Sequence, residues 1–285
     1  MVDIRQSVHY ANYLKSLGWN VERIAAVNYF VKRFPVIGSV LKIQRPEEIR
    51  VDIIQKLSRK YRVFQVIVEP KNKTDAQFLV SAGYKLSKSP YLPTKTLQID
   101  LTRSKEAILK SFKKDARGAI RKGTGLRIKE YSTPDEIKSF REGWKNAVNF
   151  KRFVPPADQM VNLRREFPHD HSLFLASHNI SGRIIGGVIF TRSSHDIGYY
   201  WQAFASKEGR SSLSQYSLLY YGILWAKKMG CKIFDFEGIY DPRFPNKSWL
   251  GFSHFKRSFG GFEVEYPGCY TKFISPLSIF LLKQK

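Results

Sequence analysis

Cysteine is scarce in this chain, with two residues, Cys231 and Cys269, among 285. Two thiols permit one bridge at most and no metal-ligand cluster. The expectation is a reducing compartment in which both act as small hydrophobes. The six histidines form no HExxH pattern, and His169-x-His171 reads as solvated loop ahead of a strand. No metal and no cofactor are expected. Long apolar runs are missing as well: none approaches the ~20 residues that span a bilayer, and no basic-then-apolar leader opens the chain. That points to a soluble, cytoplasmic protein. The apolar tail at 273–282 (FISPLSIFLL) is too short to span. It either docks on the body or makes a peripheral contact with the inner face of the membrane.

Acidic residues are also few, 24 against 48 Lys and Arg, for a formal net charge of +24. Such an excess suits a polyanionic partner: tRNA, DNA, rRNA or an anionic membrane. The charge is densest from Arg103 to Lys129, where ten basic residues face only Glu106 and Asp115. Drawn as one helix, this stretch gathers Ile108, Leu109, Phe112, Ala116, Ala119 and Ile120 on one side. Lys110, Lys113, Lys114, Arg117 and Arg121 gather on the other. Such a face is either a rail for tRNA phosphates or a plain solvated surface.

What remains is ample for folding: 43% hydrophobic and 14% aromatic residues can fill packed cores. The pattern mixes helices and strands, an α/β or α+β chain. In the first half, helices are expected at 8–17, 46–61 and 74–82, with strands at 21–30, 36–43, 63–68 and 96–101. In the second, a long helix over 213–229 ends at Gly230 and feeds a strand at 231–236. The boundary is placed near Pro93 to Ser104, dividing the chain into domains 1–98 and 99–270.

The richest segment is CKIFDFEGIYDPRFPNKSWLGFSHFKRSFGGFEVEYPGCY, from Cys231 to Tyr270. An apolar strand carries Asp235 and Glu237 in alternation with Phe234 and Phe236, which sets both carboxylates on one face. A polar loop follows, then a short basic helix, Phe255-Lys256-Arg257, closed by Gly260-Gly261. A strand that delivers carboxylates, with a lysine returning on the next element, is how a polar site is built on a rigid sheet.

This wording resembles the signature of the FemABX family of aminoacyl-tRNA-dependent peptidyltransferases, in which a "yDfgGi" strand precedes "gl..FK..fGG". The opening HYANYLKSLGWNVERI is similar to the family's "W..yL...Gw", with Tyr10 where tryptophan is usual. The stretches EPKNKTDAQFLVSAGYKLSKSPYLPTKTLQIDLTRSKEAILKSFKKDARGAIRKG and AFASKEGRSSLSQYSLLYYGILWAKKMGCKIFDFEGIYDP resemble further family blocks in the right order. The resemblance implies two GNAT-like domains in tandem, of the compact kind without a coiled-coil arm, with the tail at 271–285 returning to the first. It implies transfer of an amino acid from aminoacyl-tRNA to an amine of a peptidoglycan precursor stem peptide, on UDP-MurNAc-pentapeptide or a lipid-linked muropeptide.

Lys256 matches the family lysine near the reacting ester, as oxyanion or tRNA-terminus stabiliser, with Phe255 packing beside it or in the core. Asp235 or Glu237 would accept the amine proton, orient Lys256 or form an internal salt bridge; the family commonly has Gly at the Glu237 position. Arg210 would hold a precursor phosphate, Tyr200 and Trp201 would line the peptide groove, and Lys32 or Arg33 would meet the diphosphate. The glycine loop by which GNAT enzymes cradle CoA is missing from 207–214 (KEGRSSLS), which disfavours that donor. Two other readings stay open. One is a GNAT-like N-acyltransferase for a protein or polysaccharide amine; the other is a non-catalytic RNA-binding module.

Overall fold

The structure, a computed structural model, describes residues 1–150, 152–193 and 196–274. The part of the apolar tail beyond these, for which docking or a membrane contact is expected, lies outside the described residues. The chain divides into two compact units. One comprises Val2–Lys95, Asp241–Asn246 and the chain from Glu265; the other comprises Thr96–Tyr240 and Lys247–Val264.

In chain order the first unit begins with helix α1 (Val8–Ser16) and strands β1 (Asn20–Ile24), β2 (Val27–Phe34) and β3 (Gly38–Gln44). Helix α2 (Val51–Tyr61), β4 (Val63–Glu69), α3 (Lys73–Ser81) and β5 (Lys85–Leu86) follow. The second unit holds β6 (Lys95–Asp100), α4 (Lys105–Ser111), α5 (Lys114–Lys122), β7 (Arg127–Glu130), α6 (Pro134–Ala147) and α7 (Ala157–Glu166). It continues with β8 (Ser172–His178), β9 (Ile184–Ser193), β10 (Ile197–Ala205), α8 (Lys207–Ser211) and α9 (Ser214–Lys228). Then come β11 (Ile233–Gly238), α10 (Leu250–Arg257) and β12 (Phe262–Glu265). Strand β13 (Tyr270–Phe273) returns to the first unit, where it pairs antiparallel with β4 and β5.

The first sheet runs β1-β2-β3-β4-β13-β5, parallel only at β3–β4. The second runs β12-β6-β11-β10-β9-β8-β7, parallel at β10–β11 and antiparallel at β6–β11, β9–β10, β8–β9 and β7–β8. Each has its own core. Val31, Leu41, Leu57, Val63, Val66, Val68 and Leu79 centre the first. Leu97, Ile99, Phe112, Phe190, Leu218, Phe234, Phe236 and Phe259 centre the second.

Four expected elements come out differently, each for a local reason. The single strand 21–30 is a hairpin, β1–β2, turning at Ala25 and Ala26 with φ of 48° and 64°. Two alanines there carry none of the Asn-Gly signal of such a turn. Helix α2 starts at Val51, not at Pro46, and its cap Arg50 makes no side-chain cap bond. Helix α10 starts at Leu250, ahead of the expected Phe255. The basic stretch is two helices rather than one. Phe112 and Lys113 are extended between α4 and α5, which drops Phe112 into the core against Tyr220 and Phe259. The Lys113 N–H released by the break donates 2.8 Å to the Ser258 carbonyl.

Candidate functional site

Strand β11 (IFDFEG) buries Phe234 and Phe236 completely on its core side. It pairs in parallel with β10 for three residues only, from Ile197↔Ile233 to Tyr199↔Asp235. Past that point both strands bulge. Trp201 is the extra residue of β10 against β9, and one residue is added to β11 between Asp235 and Gly238 against β6. Glu237, inside that bulge, has φ 58°, a conformation glycine adopts without cost. The bulge interrupts the strict alternation that would set Asp235 and Glu237 on one face. It also explains why the related signature commonly has Gly here. A parallel pair that parts at its carboxyl end leaves a fork, and the polar groups converge there.

Asp235 is 2% exposed and well held. Its Oδ2 accepts from Gln98 Nε2 at 2.8 Å, and its Oδ1 accepts from the Glu237 N–H at 2.7 Å and from the Thr96 hydroxyl. Thr96 and Gln98 lie on β6, on the face opposite Leu97, Ile99 and Leu101. Sequence reading gave the strand at 96–101 but missed these two, because their value depends on a β6–β11 pairing that no local pattern announces.

Lys256 reaches the same strand from α10. Ser253, one turn earlier, is fully buried; it accepts the Tyr240 N–H at 2.7 Å and donates to the Trp249 carbonyl at 2.6 Å. Beyond the helix the chain passes so close to its neighbours that a Cβ at Gly261 would stand 2.2 Å from the Gln98 carbonyl, at φ 89°. Only glycine fits there. Lys256 itself is 7% exposed, and its Nζ donates to the Phe236 and Gly238 carbonyls, both at 2.7 Å. The rings of Phe252 and Tyr200 flank it, with centroids at 5.1 and 5.4 Å. Burial pushes the ammonium down to about 8, against the pull of Glu237 and Asp235. At neutral pH this is a protonated lysine with two N–H groups committed and a third to offer, and it releases its proton easily. Such a group can stabilise a developing oxyanion.

The remaining candidates are scattered. Tyr200 sits at the fork, its hydroxyl 3.4 Å from Gln215 Oε1, and burial raises its pKa. Trp201 is half-buried at the bulge. Phe255 turns away from the lysine into the core, edge-on to Tyr216 and Phe259. Arg210 is exposed and donates 2.8 Å to the Ala205 carbonyl. Lys32 and Arg33 belong to the other unit, where Lys32 lies over Trp19 and Arg33 over Tyr61. Of the basic series, Lys110, Lys113, Lys114 and Arg121 are exposed. Arg117 instead ties down the break between α4 and α5, donating to the Phe112 and Lys110 carbonyls. Residues 207–211 form the short α8, packed so tightly that a Cβ on Gly209 would lie 2.1 Å from the Ile185 carbonyl.

Both cysteines are free and buried. Among the described residues no group of three or more His, Cys, Asp or Glu is placed to hold a metal, and no helix is long and apolar enough to cross a membrane.

Neither a protein-family model nor a curated protein matches the chain. Its fold does have solved counterparts. FemX superposes with a TM-score of 0.80 at 15% identity, over 99% of this chain and 95% of that one. The C-terminal domain of a lysylphosphatidylglycerol synthetase candidate from Agrobacterium fabrum gives 0.61 at 13%, over 98% and 92%. A tandem GNAT protein from the clavulanic acid biosynthesis pathway gives 0.54 at 12%, over 93% and 88%. The chain therefore has the FemX-like fold, a mixed α/β architecture of two GNAT-like units in tandem.

Proposed function

We propose that this protein is an acyltransferase that moves an amino acid from aminoacyl-tRNA to the amine of a peptidoglycan precursor stem peptide. The observation that carries the reading is Lys256, buried at the fork of β10 and β11 with its Nζ gripped by the Phe236 and Gly238 carbonyls. The FemX-like fold and the signature around FKRSFGG support it.

In such a reaction the acceptor nitrogen attacks the ester carbonyl and a tetrahedral oxyanion develops. The carbon–oxygen bond to the tRNA ribose then breaks, and an amide forms. No nucleophilic side chain is required; positioning and charge lower the barrier. The third N–H of Lys256 is assigned to the oxyanion. Asp235 is a positioning residue: it holds Thr96, Gln98 and the Glu237 amide, and so sets the two carbonyls that grip the lysine. Glu237 is assigned to the amine proton. Lys110, Lys113, Lys114 and Arg121 are assigned to tRNA phosphates.

Helix α8 occupies the stretch where a GNAT enzyme would present its glycine loop, which favours a donor other than CoA. The test offers charged tRNA carrying a labelled amino acid to UDP-MurNAc-pentapeptide and to lipid-linked muropeptide. Label on either acceptor, lost on ribonuclease treatment of the donor, is expected. Bound tRNA with no labelled acceptor would contradict the reading and favour an RNA-binding module.

A further inference from the structure

The turn between β2 and β3 defies the residue preferences of turns. It reads Phe34-Pro35-Val36-Ile37, and Val36 stands at φ 71°. A β-branched residue is an outlier in that region, where Gly or Asn fits without strain. Its side chain is nonetheless fully exposed at 100%, with Ile37 at 64% and Phe34 at 41%. Val36 and Ile37 are thus offered to solvent on a strained tip, and Phe34 beside them is partly covered by the Phe64 ring, at 6.4 Å between centroids.

The tip is held rigidly beside a basic helix end. The Ser39 N–H donates 3.1 Å to the Arg62 carbonyl, and a Cβ on Gly38 would lie 2.4 Å from that oxygen. This pins the hairpin to the end of α2, where Arg59, Lys60 and Arg62 are exposed. A cavity of about 290 Å³ opens there, lined by Arg33, Phe34, Val36, Lys60, Tyr61 and Arg62 among others. Glu22 bonds Lys60 at 2.6 Å and offsets one charge, so the rim remains positive.

We propose that this hairpin is a membrane-docking element. Phe34, Val36 and Ile37 enter the headgroup boundary of an anionic bilayer, and Arg33, Lys60 and Arg62 take the lipid phosphates. Aliphatic side chains ringed by cations match that interface, where apolar insertion and attraction to anionic lipid add. Val36 and Ile37, the most exposed of the three, offer nucleic acid neither a stacking face nor a hydrogen bond, and the Phe34 ring already lies against Phe64. The inference does not depend on the reaction assigned above, since its readout is binding alone.

The test is co-sedimentation of the full chain with phosphatidylcholine vesicles, with and without phosphatidylglycerol. The chain should sediment only with the anionic vesicles, and less as salt rises. Val36→Asn with Ile37→Ser, which relieves the strained turn, should leave thermal stability intact or higher while weakening partition at least about tenfold. Because both native cysteines are buried, Ile37→Cys can be labelled alone with a polarity-sensitive dye, whose emission should shift to the blue on anionic vesicles. A wild-type chain left in solution overturns the proposal. So does a double variant that binds like wild type, a dye that does not shift, or binding abolished by tRNA alone.

Discussion

Lys256 concentrates the physical argument at the scale of single residues. An unfolded chain keeps this lysine's proton to about 10.5, whereas the folded chain gives it up near 8. Below pH 8 the buried charge therefore costs the fold about 3 kcal/mol, and that cost fades as pH climbs from 8 toward 10.5. Urea unfolding of wild type and Lys256→Met across this window should show wild type gaining stability relative to the variant. A difference that is flat with pH would argue against the depressed value. Other titrating groups cancel in the comparison. Asp235 admits an independent check. Replacing it with Asn keeps an acceptor for Thr96 and the Glu237 amide but sets an NH2 against that of Gln98. The expected loss is about 1–3 kcal/mol in urea unfolding, reduced when Gln98→Glu is added.

Among the elements, the bulge in β11 is the most consequential. Glu237 holds a left-handed backbone that costs a non-glycine residue about 1–2 kcal/mol. Glu237→Gly should be as stable as wild type or up to about 1 kcal/mol more so by chemical denaturation, once the added freedom of the unfolded chain is counted. It should also lower the Lys256 pKa by removing a carboxylate that supports the ammonium, which takes back part of that gain below pH 8. The break between α4 and α5 yields another expectation: Phe112→Ala should cost about 3–5 kcal/mol, a core deletion rather than a helix-surface change.

These elements also mark what the sequence could and could not reveal. The buried run VFQVIV announced β4, and Thr133 ahead of Glu136 closes a capping box that opens α6. Leu97, Ile99 and Leu101 share the core face their alternation predicts. The fold class and the FemX-like architecture were legible because order and spacing of many weak blocks add up. The Ala25-Ala26 turn and the extended Phe112-Lys113 were not, because tertiary packing overrides local preference there. The Thr96–Gln98 cradle escaped notice because it exists only once β6 lies beside β11.

For the molecule as a whole, charge sets the most general behaviour. With a formal net charge of +24, tRNA binding should weaken steeply and log-linearly with salt. Charge reversal at Lys114 and Arg121 should reduce that slope by roughly the two contacts removed, measured by filter binding across a salt series. Reversal that leaves the slope unchanged would return the α5 face to a solvated surface.

The central claim is that the Lys256 ammonium at the fork carries acyl transfer. Its most direct test is the pH dependence of kcat/KM for transfer from aminoacyl-tRNA, wild type beside Lys256→Ala. The account predicts a descending limb near pH 8 in wild type and a loss of at least about tenfold, or 1.4 kcal/mol of barrier, in the variant. A Lys256→Ala enzyme with wild-type rate and an unchanged profile would contradict it.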